Sequence, residues 1–315
     1  MVARNAPTQT ILLSLRSLLD ENQTVSLSLP IRNPEVSDFT NENGKAMIDL
    51  AAKTADLSSF DGFGEIEPAF FLTANQECCS WNALSVGDTK LGIVTSSRLY
   101  WVNARIATRI LRTAEELTSL GVENASPNDG YYLLAKDVDA EESPVCHAAH
   151  NWSWDGFVGI FDGQGHSISN LNLTGKGLFA AMGKGSVLRN LTFDDLSLGP
   201  NETYVLAKSI KGANLSHLNF VCRSVSSARW DNLGFLAQVM NKTTTLNEIR
   251  VETRDQKVGW VLAKNGKAEG TDPDNVYTDV QLFTTHQNFI LGDGSTATEY
   301  VGNYSGITVT YTDAS

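Results

Sequence analysis

The stretch Asp162-Gly163-Gln164-Gly165-His166 sets a carboxylate and an imidazole four residues apart around two glycines. A carboxylate beside an imidazole is the raw material of acid/base catalysis or of a metal site. The same residues also spell a turn. An Asp side chain bonds to the backbone two residues on, Gly163 and Gly165 supply positive φ, and His166 packs beside the next strand. One Asp and one His fall short of a closed metal site. The expectation is therefore that Asp162, Gly163, Gly165 and His166 form a structural turn.

Other candidates are weaker. Cys146, His147 and His150 form an HxxH with a thiol, but no helical pattern carries them, and the HExxH of zinc peptidases is absent. They read as a loop with incidental histidines. Polysaccharide hydrolysis needs paired carboxylates. Asp194-Asp195 is the one adjacent pair on the later half of the chain, with Asp155 outside it. Neighbours on an extended strand point to opposite faces, so the pair is expected to form the turn after Phe193. Gly183-Lys184-Gly185-Ser186 lacks the four-residue spacer of a phosphate loop, and no GxSxG nucleophile elbow occurs. Trp152 and Trp154 flank Ser153. They read either as a sugar-stacking face, which makes them the candidate ligand-binding residues, or as a lid over the end of a core. No catalytic residue, metal ligand or cofactor is expected.

The elements that position these residues repeat. Tyr132-Leu133-Leu134-Ala135-Lys136 is echoed by Val205-Leu206-Ala207-Lys208 and Val261-Leu262-Ala263-Lys264. Phe179, Leu206, Leu236 and Leu262 follow one another at steps of 27, 30 and 26 residues. Behind each lies a second short strand: Leu191-Thr192-Phe193, Leu218-Asn219-Phe220, Ile249-Arg250-Val251 and 276–282. A last turn runs over 289–292, with 307–311 as partner. A period in the twenties with two or three β segments is the signature of a solenoid, whose rungs bury their apolar sides only by stacking. An antiparallel sandwich shares the short, regular strands. The repeated Leu-Ala-Lys and the irregular insertions, such as 267–274, favour the solenoid. The fold class is thus all-β: a right-handed parallel β-helix of five or six rungs over 112–315, after a small β-rich domain over 1–111. Thr113 and Glu116 have capping-box spacing, so a short helix over 113–120, closed by Gly121, caps the first rung.

In the first domain, Val25, Leu27 and Leu29 alternate with serine and read as a strand. The segment 10–19 reads as helix or strand, and 47–55 is ambiguous between the two. Further short strands fall at 69–73, 91–95 and 99–102. Trp81, Tyr100 and Trp101 are its candidate core aromatics, and a sandwich-like arrangement is favoured.

The run Phe157 to Leu173, GIFDGQGHSISNLNL at its centre, resembles the GLUG-motif region of bacterial surface proteins, which is also found in the non-catalytic part of immunoglobulin A peptidases. Phe157, Gly159, Phe161, Asp162, Gly163, Gly165, His166, Ile168, Asn170 and Leu171 match its pattern. Gly177, Leu178 and Phe179 match the strand after it, and Asn190 and Leu191 the next. Ile160 replaces the usual Thr, and Ala180 stands at the second Gly. The resemblance covers about 112–200. It implies a right-handed parallel β-helix on an extracellular bacterial or phage-associated protein, and it implies no activity.

Composition narrows the partners. A net charge of −12 with no basic run argues against nucleic-acid binding. No apolar segment reaches the ~18 residues that span a bilayer. Arg16 interrupts the apolar run 11–19, which is read as no signal peptide. Cys78, Cys79, Cys146 and Cys222 lack zinc-site spacing and read as buried thiols or one optional bridge. The many Asn-x-Ser/Thr triplets are what an Asn-, Ser- and Thr-rich chain produces by chance. Together these expectations describe a non-enzymatic extracellular or cell-surface module for adhesion or display. Its ligand would be a glycan or a host-surface protein. A polysaccharide-degrading β-helix enzyme and a ligand-free stalk of a larger surface peptidase or phage tail protein are the alternatives.

Overall fold

The structure is a computed structural model. It describes residues 8–16, 24–32, 35–38, 44–60, 64–75, 77–95, 98–120, 127–140, 156–173, 177–199, 204–225, 234–253, 259–267, 273–285, 289–294 and 304–312. The chain divides into two compact units, Met1–Ile106 and Ala107–Ser315.

Among the described residues, the first unit is β apart from a short 3-10 helix at Trp81–Ala83. Thr8–Arg16 pairs antiparallel with Thr24–Arg32. A separate eight-stranded sheet runs in the order Glu65–Ile66, Thr54–Asp56, Ala46–Asp49, Arg98–Ala107, Gly87–Val94, Phe70–Leu72, Cys78–Cys79, and Glu35–Asp38 joins Arg98–Ala107 in parallel. The ambiguous 47–55 stretch is a hairpin. Its turn is made by the buried Asp49 carboxylate, which accepts from the amides of Ala51 and Ala52 at 3.0 and 2.9 Å. That side-chain bond competes with helix formation. Ile48, Phe71, Ile93, Tyr100 and Val102 share one apolar core. Trp81 packs on that core and meets Phe71 edge-on at 4.7 Å. Trp101 alternates away from Tyr100 and stays outside this core cluster.

The second unit is a parallel β-solenoid of five turns. Phe179–Met182, Ala207–Lys211, Ala237–Asn241, Trp260–Asn265 and Phe289–Leu291 stack into one five-stranded sheet. On the other side Arg109–Leu111, Tyr131–Leu134, Ile160–Asp162, Val187–Leu198, Asn214–Val225, Thr245–Thr253, Val276–Thr284 and Ile307–Tyr311 form a longer parallel ladder.

The long strands bend without breaking. Leu188, Leu215, Leu246 and Tyr277 stack in register, and three residues later so do Leu191, Leu218, Ile249 and Val280. Both columns are buried. In a flat strand, residues three apart face opposite sides. Here Asn190, His217, Glu248 and Asp279 each take a left-handed φ between 49° and 55°, which turns the chain so that both flanking residues point inward. Leu191–Phe193, Leu218–Phe220 and Ile249–Val251, read from the sequence as short strands, are each the far arm of one longer bent strand, while the strand read at 276–282 is Val276–Thr284.

Phe193 stacks on Phe220 at 5.0 Å with ring planes 4° apart, and Val251, Leu282 and Val309 continue the column. Phe157 stacks on Phe179 at 4.7 Å. Each such buried side chain contributes roughly 1.5–3 kcal/mol of transfer free energy.

The helix over Ala114–Thr118 carries the expected capping box between Thr113 and Glu116. Leu117 and Leu120 are buried with Leu111 and Leu134 in the solenoid core. The helix closes on Ser119, whose amide bonds back to Glu115, rather than on Gly121, which lies outside the described residues.

Candidate functional site

The Asp162–His166 turn sits between Ile160–Asp162 and Ser167–Ser169. The Asp162 side chain is buried and saturated. Its Oδ1 accepts from the Gln164 amide at 2.9 Å and from Asn190 Nδ2 at 3.0 Å, and its Oδ2 accepts from Arg189 Nε at 2.9 Å. Arg189 and Asn190 belong to the next turn of the solenoid, so this carboxylate ties two rungs together. Partial burial works against the Arg189 charge, but Asp162 and Tyr131 outweigh it and hold the guanidinium above its ordinary pKa.

The backbone of the turn is stitched to the same rung. Gly163 and Gly165 donate to the carbonyls of Arg189 and Asn190 at 2.8 and 2.7 Å. The positive φ angles fall on Gln164 and Gly165, at 54° and 86°. The expectation of a positive φ at Gly163 is corrected: that glycine is needed for space, because a Cβ there would lie 2.5 Å from the Asn190 carbonyl oxygen.

His166 turns the other way. Its Nδ1 lies 3.4 Å from Asp137 Oδ1, on the preceding rung, rather than beside the strand that follows. Asp137 is held below the ordinary carboxylate range, chiefly by the Ser167 amide and with help from His166. Asp162 and His166 are therefore engaged in opposite directions along the stack and do not form one acid/base pair. Among the described residues no group of three His, Cys, Asp or Glu is arranged to hold a metal ion.

Asp194 and Asp195 form no turn after Phe193. They lie inside the strand Val187–Leu198, where Asp195 takes φ 56° and the register with Asn214–Val225 shifts. The flanking Phe193 and Leu196 are both buried. The bulge suspends the alternation, so Asp194 and Asp195 both lie on the outer side. Arg223 Nη1 meets Asp195 Oδ2 at 3.0 Å, and Arg223 Nη2 reaches Ser197 Oγ at 3.4 Å. Further along that face Arg250 lies 3.9 Å over the Phe283 ring and bonds Glu252 at 3.2 Å.

Gly183–Ser186 is the turn between the two sheets, with Gly185 at φ 84° and Ser186 Oγ donating to the Gly183 carbonyl at 2.8 Å. Trp152, Trp154, Asp155, Cys146, His147 and His150 lie outside the described residues. Cys78 and Cys79 are free thiols, and Cys222 is buried with its Sγ 3.7 Å from the Ser224 carbonyl oxygen. Arg189 and the left-handed column were missed at the level of sequence. The recurring Leu-x-x-Leu/Ile spacing of 188/191, 215/218 and 246/249 was the available signal for the column.

Fold and site together define a parallel β-solenoid whose motif turn is a rung-to-rung clasp. Within curated proteins, the chain is 30% identical over 118 residues to Halomucin of Haloquadratum walsbyi (strain DSM 16790 / HBSQ001). That stretch is 31% of this chain, and the chain spans about 1% of Halomucin's length. No family model matches, and no solved structure matches. No described helix is long and apolar enough to cross a membrane.

Proposed function

We propose that the chain is a non-enzymatic, extracellular or cell-surface module of the GLUG-motif kind, which displays a long flank for adhesion to a carbohydrate or a host-surface protein. The observation that carries this reading is the state of Asp162. The most chemically suggestive carboxylate in the motif is sealed from solvent and spends its bonds on Arg189, Asn190 and Gln164. That is the expected condition of a scaffold residue. The partial likeness to a protein named as a mucin supports a surface setting.

The test is a glycan array probed with the whole chain, with released reducing sugar assayed in the same wells. Binding without release supports adhesion. Release of sugar overturns it. A second reading, a polysaccharide-degrading enzyme, has one specific support: the bulge that brings Asp194 and Asp195 to the outer side together. Asp195→Asn would then abolish release. Silence on glycans and cells alike would leave the stalk reading in possession.

A further inference from the structure

The five-stranded sheet carries a second, independent feature. The segments 179–187, 207–214 and 237–245 make up three of its strands and the turns that leave them, and 260–267 makes up a fourth strand with only the start of its connection, which runs on to 275 and holds Glu269, Asp272 and Asp274. The four segments hold no Asp, Glu or Arg, in a chain with 36 acidic residues. They do hold Lys184, Lys208, Lys211, Lys242, Lys264 and Lys267, six of the chain's 12 lysines.

The register lines these lysines up. Ala207 pairs with Ala237 and Ala237 with Ala263, so Lys208, Gln238 and Lys264 follow one another across three rungs. Lys211 pairs with Asn241, which places Lys184, Lys211, Lys242 and Lys267 along one edge, at the turn out of the sheet, on four successive rungs. At about 4.8 Å per rung this edge runs for roughly 14 Å. Lys184, Lys208, Lys242 and Lys267 are exposed, and Lys264 lies 5.7 Å from the buried Trp260 ring. Among the described residues, the acids beside this edge are Asp274, in register with Thr243 next to Lys242, and Asp293, bridged to Asn265. Glu202, Asp231, Asp255, Glu269 and Asp272 lie outside the described residues.

We infer that this lysine face is the ligand surface of the module and that it takes a polyanionic polysaccharide, one bearing carboxylates or sulfates along its length. The inference rests on the adhesion reading above and names the ligand's class. Charge complementarity carries it: like charges on adjacent rungs repel one another, and a chain of anions laid along the solenoid relieves that repulsion. Lysine supplies mobile point charges rather than the fixed fork of arginine, which suits a polymer of repeating anions. Ser209 and Asn265, both partly exposed, offer hydroxyl and amide partners for sugar hydroxyls. Nucleic acid fits less well. The aromatics of these segments, Phe179 and Trp260, are buried, so no stacking platform accompanies the charge.

The test uses the whole chain against immobilised alginate and heparin, with neutral dextran and duplex DNA as comparators. A Lys208→Glu, Lys242→Glu, Lys267→Glu variant is measured beside the corresponding triple Arg variant, both checked for an unchanged thermal melt. The expected result is alginate or heparin binding that weakens with salt, falls about tenfold or more in the Glu variant and survives in the Arg variant. Unchanged binding by the Glu variant overturns the inference, as does duplex DNA bound as tightly as alginate. A neutral glycan held equally well by both variants overturns it while leaving adhesion standing. Failure to bind any glycan or cell surface removes both.

Discussion

Arg189 reaches back one rung to donate to Asp162 at 2.9 Å, joining a guanidinium that is 38% exposed to a carboxylate that is 2% exposed. The asymmetry matters. Removing the carboxylate strands three donors, whereas removing the guanidinium leaves the carboxylate its bonds from Gln164 and Asn190. Asp162→Ala is expected to destabilise by on the order of 2–3 kcal/mol, more than Arg189→Ala. Urea unfolding of the two variants checks the order, and equal losses would contradict it.

The two glycines of the motif fail for different reasons. At Gly165 a Cβ meets nothing within 4 Å, so Gly165→Ala costs only the left-handed backbone, about 1 kcal/mol. At Gly163 the new Cβ lies 2.5 Å from a backbone oxygen of the neighbouring rung. Gly163→Ala must push two rungs apart and is expected to be much the worse. Comparing their melting temperatures separates backbone strain from steric exclusion.

The aromatic stack sets a scale for the core. Phe220 is fully buried and lies between Phe193 and Val251 in its column. Phe220→Ala should cost about 3–5 kcal/mol, because stacked rungs on both sides limit collapse into the cavity. Thr192→Ala, on the outer row of the same strand as Phe193, should change stability by under about 0.5 kcal/mol.

The left-handed column predicts an inverted preference at an exposed site. Glu248 sits at φ 53°. A β-branched side chain is poorly accommodated there. Glu248→Val is expected to lose roughly 1–2 kcal/mol, and Glu248→Asn to be neutral or slightly stabilising. Thermal unfolding decides it, and a Val variant as stable as the Asn variant would count against the column's role in the bend.

In the first unit, Asp88 accepts from Arg105 Nε and Nη2 at 2.7 and 2.9 Å and also pairs with Lys45. The Arg105 hydrogen bonds are the main cause that holds its pKa well below the ordinary value near 4. A depressed folded pKa contributes stability above the unfolded value that is lost as pH falls through the folded one. The carboxylate is about half exposed, so the contribution is under about 1 kcal/mol. The stability gap between the native chain and Asp88→Asn should be constant above about pH 5 and shrink below pH 4. A gap independent of pH would contradict the assignment.

Several features are legible in the sequence because they repeat or because they are local. Phe179, Leu206, Leu236 and Leu262, at steps of 27, 30 and 26 residues, mark stacked rungs, since no single rung can bury its own apolar side. The Thr113–Glu116 spacing marks the helix start, because a capping box is a local bond over three residues. The Asp162 turn was legible in part, since its bond to the Gln164 amide is local while those to Arg189 and Asn190 span 27 and 28 residues.

By itself, then, the sequence determined the period, the class of fold and the existence of the turn. Tertiary structure decided what depends on register between rungs. It joined Val187–Arg189 to Leu191–Leu198 through the left-handed Asn190. It brought Asp194 and Asp195 to one side through a bulge, and it gathered lysines up to 83 residues apart, from Lys184 to Lys267, along one edge. The physical reason is common to all three. Alternation along a strand is a local rule, but the inward side of a bend and the neighbours across a parallel ladder are fixed only when one rung settles on the next.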